Sequence, residues 1–137
     1  MWGWPALGRR RGKLMKRLVL DLDDTICRTM DSQYAEAVPQ EGVVEKLHEY
    51  KQLGFEIVIC TSRNVRTYSG NTGKINANTL PVIISWLDRH GIPYDEIYVA
   101  KPWCGYEGFY VDDKAVRPSE FVSLSYEEIM ALLGREK

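Results

Sequence analysis

The stretch RLVLDLDDT, residues 17–25, passes from a β-branched and leucine-rich run straight into a cluster of carboxylates closed by Thr25. A short apolar run of this kind predicts a buried strand, over residues 17–22, that feeds a polar loop. Asp21 and Asp23 stand two apart, so in extended backbone both side chains point the same way while Leu22 turns toward the core. Two carboxylates then share one small site. Such crowding is electrostatically costly unless a cation or a shared proton relieves it, and hard oxygen donors from few residues suit Mg²⁺.

The same pattern recurs outward along the chain. FEIVIC, residues 55–60, is short and apolar and breaks into Thr61, Ser62, Arg63 and Asn64. Between the two runs, EGVVEKLHEYKQLG (41–54) places Val43, Val44, Leu47 and Tyr50 at helical spacing and stops at Gly54. Residues 64–78, rich in Gly, Asn, Thr and Ser, read as a loop. TLPVIISWLDRHG (79–91) then sets Val82, Ile83, Trp86 and Leu87 on one helical face before Gly91. EIYVA (96–100) is expected as a third strand and GFYV (108–111) as a fourth. SYEEIMALLG (125–134) is expected as a closing helix that Ser125 caps with Glu128. This alternation predicts an α/β domain with a mainly parallel sheet and helices on both faces, where ligands bind beyond the carboxyl ends of the strands. Each polar cluster follows a strand end: Asp21 to Thr25, Thr61 to Asn64, Lys101, and Asp112 with Asp113. The connection from Lys101 to Gly108 is too short for a helical crossover, which leaves the order of the last strands open.

A chain of 137 residues with 45% hydrophobic content fits one domain with a real core, expected over residues 15–137. Residues 1–14, MWGWPALGRRRGKL, carry no periodic pattern that would pack and read as a tail, or as an artefact preceding an alternative start at Met15. A formal charge of −1 supplies no global field for nucleic acid or anionic lipid, so any preference for anions must be local. No apolar run approaches the roughly 18 to 20 residues of a membrane span, and the N-terminus lacks a signal peptide's apolar centre. The expectation is therefore a cytoplasmic protein without a membrane partner. Cys27, Cys60 and Cys104 are an odd number without metal-type spacing, which points to idle thiols rather than a disulfide framework or zinc site. His48 and His90 lie within helical stretches, away from the strand ends.

The motifs DLDDT (21–25), ICTSR (59–63), AKP (100–102) and YVDD (110–113), in this order, resemble those of the haloacid dehalogenase superfamily of phosphatases. The resemblance spans about residues 16 to 118. It implies Asp21 as nucleophile, Asp23 as general acid and base, Thr61 as a ligand of the transferring phosphate and Lys101 as its neutralising cation. It also implies Mg²⁺ held by Asp21, the backbone carbonyl of Asp23, and one or both of Asp112 and Asp113. These roles are chemically coherent, because a carboxylate attacks an anionic phosphate only when the negative charge is screened. An acid at Asp23 favours phosphate esters over dehalogenation, since a departing halide needs no proton. Arg63 and Ser62, next to Thr61, are candidate substrate contacts, Arg63 through its fork of donors.

Larger relatives in that superfamily insert a cap domain, for which neither residues 26–55 nor 64–100 have room, so the chain resembles a capless member. An open site accepts a large substrate or closes against a neighbouring subunit, and with the aromatic content this makes a homo-oligomer reasonable. The stretch RTYSGNTGKINANT (66–79) is a candidate substrate loop through Arg66, Tyr68, Lys74 and Asn76. KPWCGYEGFYVDDKAVRPSEF (101–121) resembles a narrower group, small phosphatases of bacterial capsule polysaccharide biosynthesis, with Trp103 and Tyr106 as a stacking wall for a sugar. The substrate this implies is a phosphorylated sugar or polyol. Two rivals compete. A receiver domain would carry its acceptor Asp at a middle strand end, where this chain has CTSRN. A nucleic-acid end phosphatase would call for a basic and aromatic stripe that is not evident.

Overall fold

Three short strands, β1 (Arg17–Leu20), β4 (Glu56–Cys60) and β5 (Glu96–Tyr98), form a parallel sheet in the order β1-β4-β5. The computed structural model describes residues 15–29 and 33–135; the expected tail at 1–14 lies outside them. Leu20 pairs with Ile59 and Cys60 with Tyr98, so the three carboxyl ends stand side by side. The ladder continues past the strands, with Thr61 N–H donating to Tyr98 O (2.9 Å) and Lys101 N–H to Thr61 O (3.1 Å). Beside this sheet, β2 (Cys27–Arg28) and β3 (Val38–Pro39) make an antiparallel ribbon around a 3₁₀ turn at Tyr34–Glu36.

Helices flank the sheet, giving the expected α/β architecture. The central strand β4 is apolar along its length and buries Ile57, Val58 and Ile59 almost completely. Helix α1 (Glu41–Gln52) buries Val43, Val44, Leu47 and Tyr50 at the anticipated spacing, and Gly54, with φ +94°, turns the chain into β4. Helix α3 (Leu80–Arg89) buries Ile83, Trp86 and Leu87, and Val82 is only half-buried. The Trp86 indole N–H donates to Ala37 O at 2.8 Å, which ties α3 to the ribbon. Two C-terminal helices, α4 (Pro118–Ser123) and α5 (Tyr126–Gly134), join the core through Phe121 and Ile129. Tyr50, Phe55, Phe121 and Tyr126 form an aromatic cluster with ring centroids 5.0 to 6.2 Å apart. The cap expected for the last helix is present: Ser125 Oγ accepts from Glu128 N–H (3.1 Å) and Ser125 N–H donates to the Glu128 carboxylate (2.8 Å).

Several expectations are corrected. The loop over 64–78 contains a helix, α2 (Thr72–Asn78). Asn71 caps it by accepting from Lys74 N–H at 3.1 Å, and one apolar residue, Ile75, anchors it with 0% exposure. The first and third strands are shorter than expected and end at Leu20 and Tyr98. GFYV forms no strand: Phe109, Tyr110 and Val111 are 79%, 53% and 88% exposed. The segment from Pro102 to Tyr110 folds back on itself, with the Tyr110 hydroxyl donating to Pro102 O at 2.7 Å. Gly108 packs against Cys104 so closely that a Cβ there would meet its carbonyl oxygen at 2.3 Å. So short a return cannot lay a parallel strand beside the others.

The start of β5 is set by Asp95. Its carboxylate accepts from Ile57 N–H at 2.7 Å and from Lys51 Nζ at 3.0 Å, and the Ile57 amide, then Lys51, hold its pKa below the usual carboxylate value despite some burial. A carboxyl lowered by folding contributes stability above its unfolded pKa and loses it as pH falls through the folded value. Asp95→Asn should therefore destabilise the protein by roughly 1 kcal/mol at neutral pH. The gap from wild type should close below about pH 4. Thermal melts at both pH values check this; a gap constant with pH would remove the charge from the explanation.

Candidate active site

The chain curls immediately after β1. Leu22, fully buried, accepts through its carbonyl from the N–H groups of Thr25 (3.2 Å), Ile26 (2.9 Å) and Cys27 (3.2 Å). Asp24 adopts the left-handed region at φ +62° to make this turn. Asp21 and Asp23 are thereby presented to one cavity of about 390 Å³ above the strand ends, which Ser62, Arg63, Arg66 and Lys101 also line.

Lys101 Nζ lies 3.8 Å from Asp21 Oδ1. Burial pushes the Asp21 carboxyl above the ordinary carboxylate range, and the negative charges of Asp23 and Asp24 add to this; Lys101 and the Leu22 amide oppose it. The ammonium of Lys101 also sits over the Tyr110 ring, 4.3 Å from its centroid. Ala100, just before it, is held at φ +63°. A left-handed alanine is strained, and it turns the chain just before Lys101, which lines the cavity.

Asp23 is held differently. Arg63 Nε donates to its Oδ2 at 3.0 Å and Nη2 to its Oδ1 at 2.8 Å, a bidentate pair. The Arg63 side chain is 1% exposed and that of Asp23 25%. The Arg63 guanidinium stacks on Tyr34 at 4.2 Å from the ring centroid, and its Nη1 has no hydrogen-bond partner among the described residues. Thr29 Oγ1 also donates to Asp23. Cys27 Sγ lies 3.6 Å from Asp23 Oδ1, and burial pushes its thiol up to about 11, so it stays protonated at neutral pH. The three cysteines are free, as expected. Thr61 is 1% exposed, and its hydroxyl accepts from Arg63 N–H at 3.0 Å, which leaves the hydroxyl hydrogen available to donate.

Arg66 and Tyr106 meet across the mouth of the cavity through a hydrogen bond from Arg66 Nη1 to the phenol oxygen. Trp103 packs edge-on against Tyr106 at 4.9 Å. Of the residues singled out from sequence, Asp21, Asp23, Ser62, Arg63, Arg66, Lys101, Trp103 and Tyr106 line the cavity, and Thr61 is buried at its base strand. Lys74, Tyr68 and Asn76 do not line it; Lys74 is exposed on α2. Asp112 and Asp113 are exposed and outside the cavity, with Asp112 Oδ1 accepting from Lys114 N–H at 2.8 Å. Among the described residues no three His, Cys, Asp or Glu side chains converge as a metal cage. Asn64, from the expected polar cluster, also lines the cavity; Tyr34 and Tyr110 line it unannounced, Tyr34 because it sits in an aperiodic stretch and Tyr110 because its segment reads as a strand.

No helix among the described residues is long and apolar enough to cross a membrane. No family model and no curated protein matches the chain. Among solved structures, the RNA repair complex Pnkp1/Rnl/Hen1 aligns at 15% identity over 68% of this chain and 28% of that one, with a TM-score of 0.46. The D,D-heptose 1,7-bisphosphate phosphatase from B. bronchiseptica, complexed with magnesium and phosphate, aligns at 20% identity over 69% and 56%, with a TM-score of 0.45. Both similarities are too slight to carry an activity over. An MCSG target from Vibrio cholerae, known as a crystal structure, is 59% identical over 90% of this chain and 100% of its own, with a TM-score of 0.88. At that identity and coverage, the chain belongs to the same family as the Vibrio cholerae protein.

Proposed function

We propose that this protein is a Mg²⁺-dependent phosphomonoester hydrolase of the haloacid dehalogenase type that works through an aspartyl phosphate. The observation that carries the reading is Asp21 at one strand end facing Lys101, 3.8 Å away, with Asp23 in the same cavity. The motif order along the chain supports it. Asp21 attacks phosphorus, and the bond from phosphorus to the ester oxygen breaks as Asp23 gives that oxygen its proton. Water then attacks the phosphoryl group and the bond from phosphorus to Asp21 breaks, while Asp23 takes a proton from that water, which releases phosphate, frees the Asp21 carboxylate and returns Asp23 to its protonated form. Thr61 offers its hydroxyl hydrogen, and Lys101 its positive charge, to the phosphoryl oxygens. Arg63 orients Asp23 through the bidentate pair.

With Arg63 taken up by Asp23, the partly exposed Asp21 carboxylate is opposed by Lys101 alone at 3.8 Å and lies beside the negative charges of Asp23 and Asp24, and a hard oxygen donor so placed fits Mg²⁺. Asp21 and the Asp23 carbonyl would hold the ion together with one or both of Asp112 and Asp113, whose recruitment to the cavity is tested separately below. Bound there, it would screen charge between the nucleophile and the phosphate. The substrate is a phosphorylated sugar or polyol, as in bacterial surface polysaccharide assembly. A cavity of 390 Å³ is at the small end for small-molecule sites, and Trp103 and Tyr106 offer a sugar an aromatic face.

Three outcomes are expected. Asp21→Asn should remove Mg²⁺-dependent phosphate release from a panel of sugar and polyol phosphates by at least about 10³-fold with the melting temperature retained; unchanged turnover would dismiss the nucleophile. Asp23→Asn should slow alkyl phosphates more than nitrophenyl phosphate, whose leaving group needs no proton. It should also destabilise the protein by roughly 1 to 3 kcal/mol, less than a fully buried pair because Asp23 is partly exposed. Equal losses on both esters in a folded variant would argue against the acid role. Asp112→Asn or Asp113→Asn should raise the Mg²⁺ needed for half-maximal rate by about tenfold or more, and no change in either would remove the late pair from the metal set.

A further inference from the structure

Three cations face the cavity, and two are committed. Lys101 lies against Asp21, and Arg63 is locked to Asp23. The third, Arg66, has no carboxylate partner among the described residues. Its side chain meets Tyr106 in two ways: the hydrogen bond to the phenol oxygen, and the ring, whose centroid lies 5.5 Å from the guanidinium carbon. A neutral partner fixes the orientation of the guanidinium and leaves its charge uncompensated.

Arg66 has local contacts on both sides. Its own segment is a tight coil in which Tyr68 N–H donates to Asn64 O (3.1 Å), Gly70 N–H to Val65 O (2.8 Å) and Asn71 N–H to Tyr68 O (2.9 Å). Across the mouth, Tyr106 is braced edge-on by Trp103 at 4.9 Å. The hydrogen bond to Tyr106 sets the side chain toward the cavity that it lines. It lines the same cavity as Asp21 and Asp23, so one small molecule can reach both.

We propose that Arg66 is a specificity-determining residue that reads a second anionic group, a carboxylate or a phosphate, on the same small substrate whose phosphate faces Asp21. This deepens the phosphatase reading and rests on it. The preferred substrate class is then a phosphorylated sugar acid or a sugar bisphosphate rather than a neutral sugar monophosphate. Tyr106 gives up its hydrogen bond to the substrate anion or shares it, and the Trp103 face contacts the carbon chain between the two charges.

Matched probes test this. Gluconate 6-phosphate differs from sorbitol 6-phosphate by one terminal carboxylate, and fructose 1,6-bisphosphate from fructose 6-phosphate by one phosphate. Binding of all four is measured by calorimetry to Asp21→Asn protein with and without Mg²⁺, and turnover is measured with Arg66 and Asp21 intact. Within at least one pair, the doubly anionic member should bind about tenfold more tightly, with kcat/KM following mainly through KM. Arg66→Gln, a change at an exposed position, should bring that ratio to about one, and Arg66→Lys should restore part of it. The pair that shows the preference identifies the anion as carboxylate or phosphate. A ratio near one in both pairs, a ratio unmoved by Arg66→Gln, or no measurable binding of either doubly anionic probe overturns the proposal. Absence of any Mg²⁺-dependent turnover of nitrophenyl phosphate would overturn the phosphatase reading instead, while the calorimetric ratios would still decide the role of Arg66.

Discussion

A guanidinium that is 1% exposed cannot remain in a protein interior without a counter-charge, and Arg63 finds it in Asp23. That pair is the constraint around which the site is arranged. It bridges the loop that follows β1 and the loop that follows β4, forty positions apart in the chain. Tyr34 closes over its face, so the 3₁₀ turn and the ribbon of β2 and β3 are drawn to the same point. Thr29, beside the ribbon, completes the shell on the carboxylate side. The hydrophobic core places the strands, and this one polar contact holds the loops that follow β1 and β4 in mutual register.

Backbone strain accompanies it. Three of the non-glycine residues in left-handed conformation, Asp24, Asn64 and Ala100, each follow one of the three parallel strands. Each turns the chain sharply where the sheet ends, and each costs on the order of 1 kcal/mol or more. The parallel ladder and the buried β4 over-determine these positions, so the strain is tolerated at the rim of the cavity.

Much of the fold was legible from the sequence because its signals are periodic. The apolar runs of β1 and β4, the one-sided faces of α1 and α3, and the Ser125 and Glu128 box all read directly from spacing. What escaped lacks a period. Helix α2 has one buried apolar residue, Ile75, and a polar composition that mimics a loop. GFYV has strand-like residues but no length of chain in which to cross back, and local closure through Tyr110 and Gly108 outweighs its propensity. In the site, Asp21, Asp23, Arg63 and Lys101 were identifiable from their places at or just beyond strand ends, and Arg66 from the long polar loop that it opens. The pairing of Arg63 with Asp23 was not, since a carboxylate two residues from Asp21 shows its residue type in sequence but not its partner.

The bidentate pair also bears on how this family can change over time. Neutralising Asp23 strands a buried cation, and removing Arg63 frees a carboxylate and opens a void beneath Tyr34. Neither position can drift alone at small cost. A descendant that loses the Asp23 carboxylate and keeps the fold would have to exchange both residues together, for a neutral hydrogen-bonding couple or for apolar groups of similar volume. The two positions, distant in the chain, should therefore covary as a unit, and the presence of one would report on the chemistry of the other.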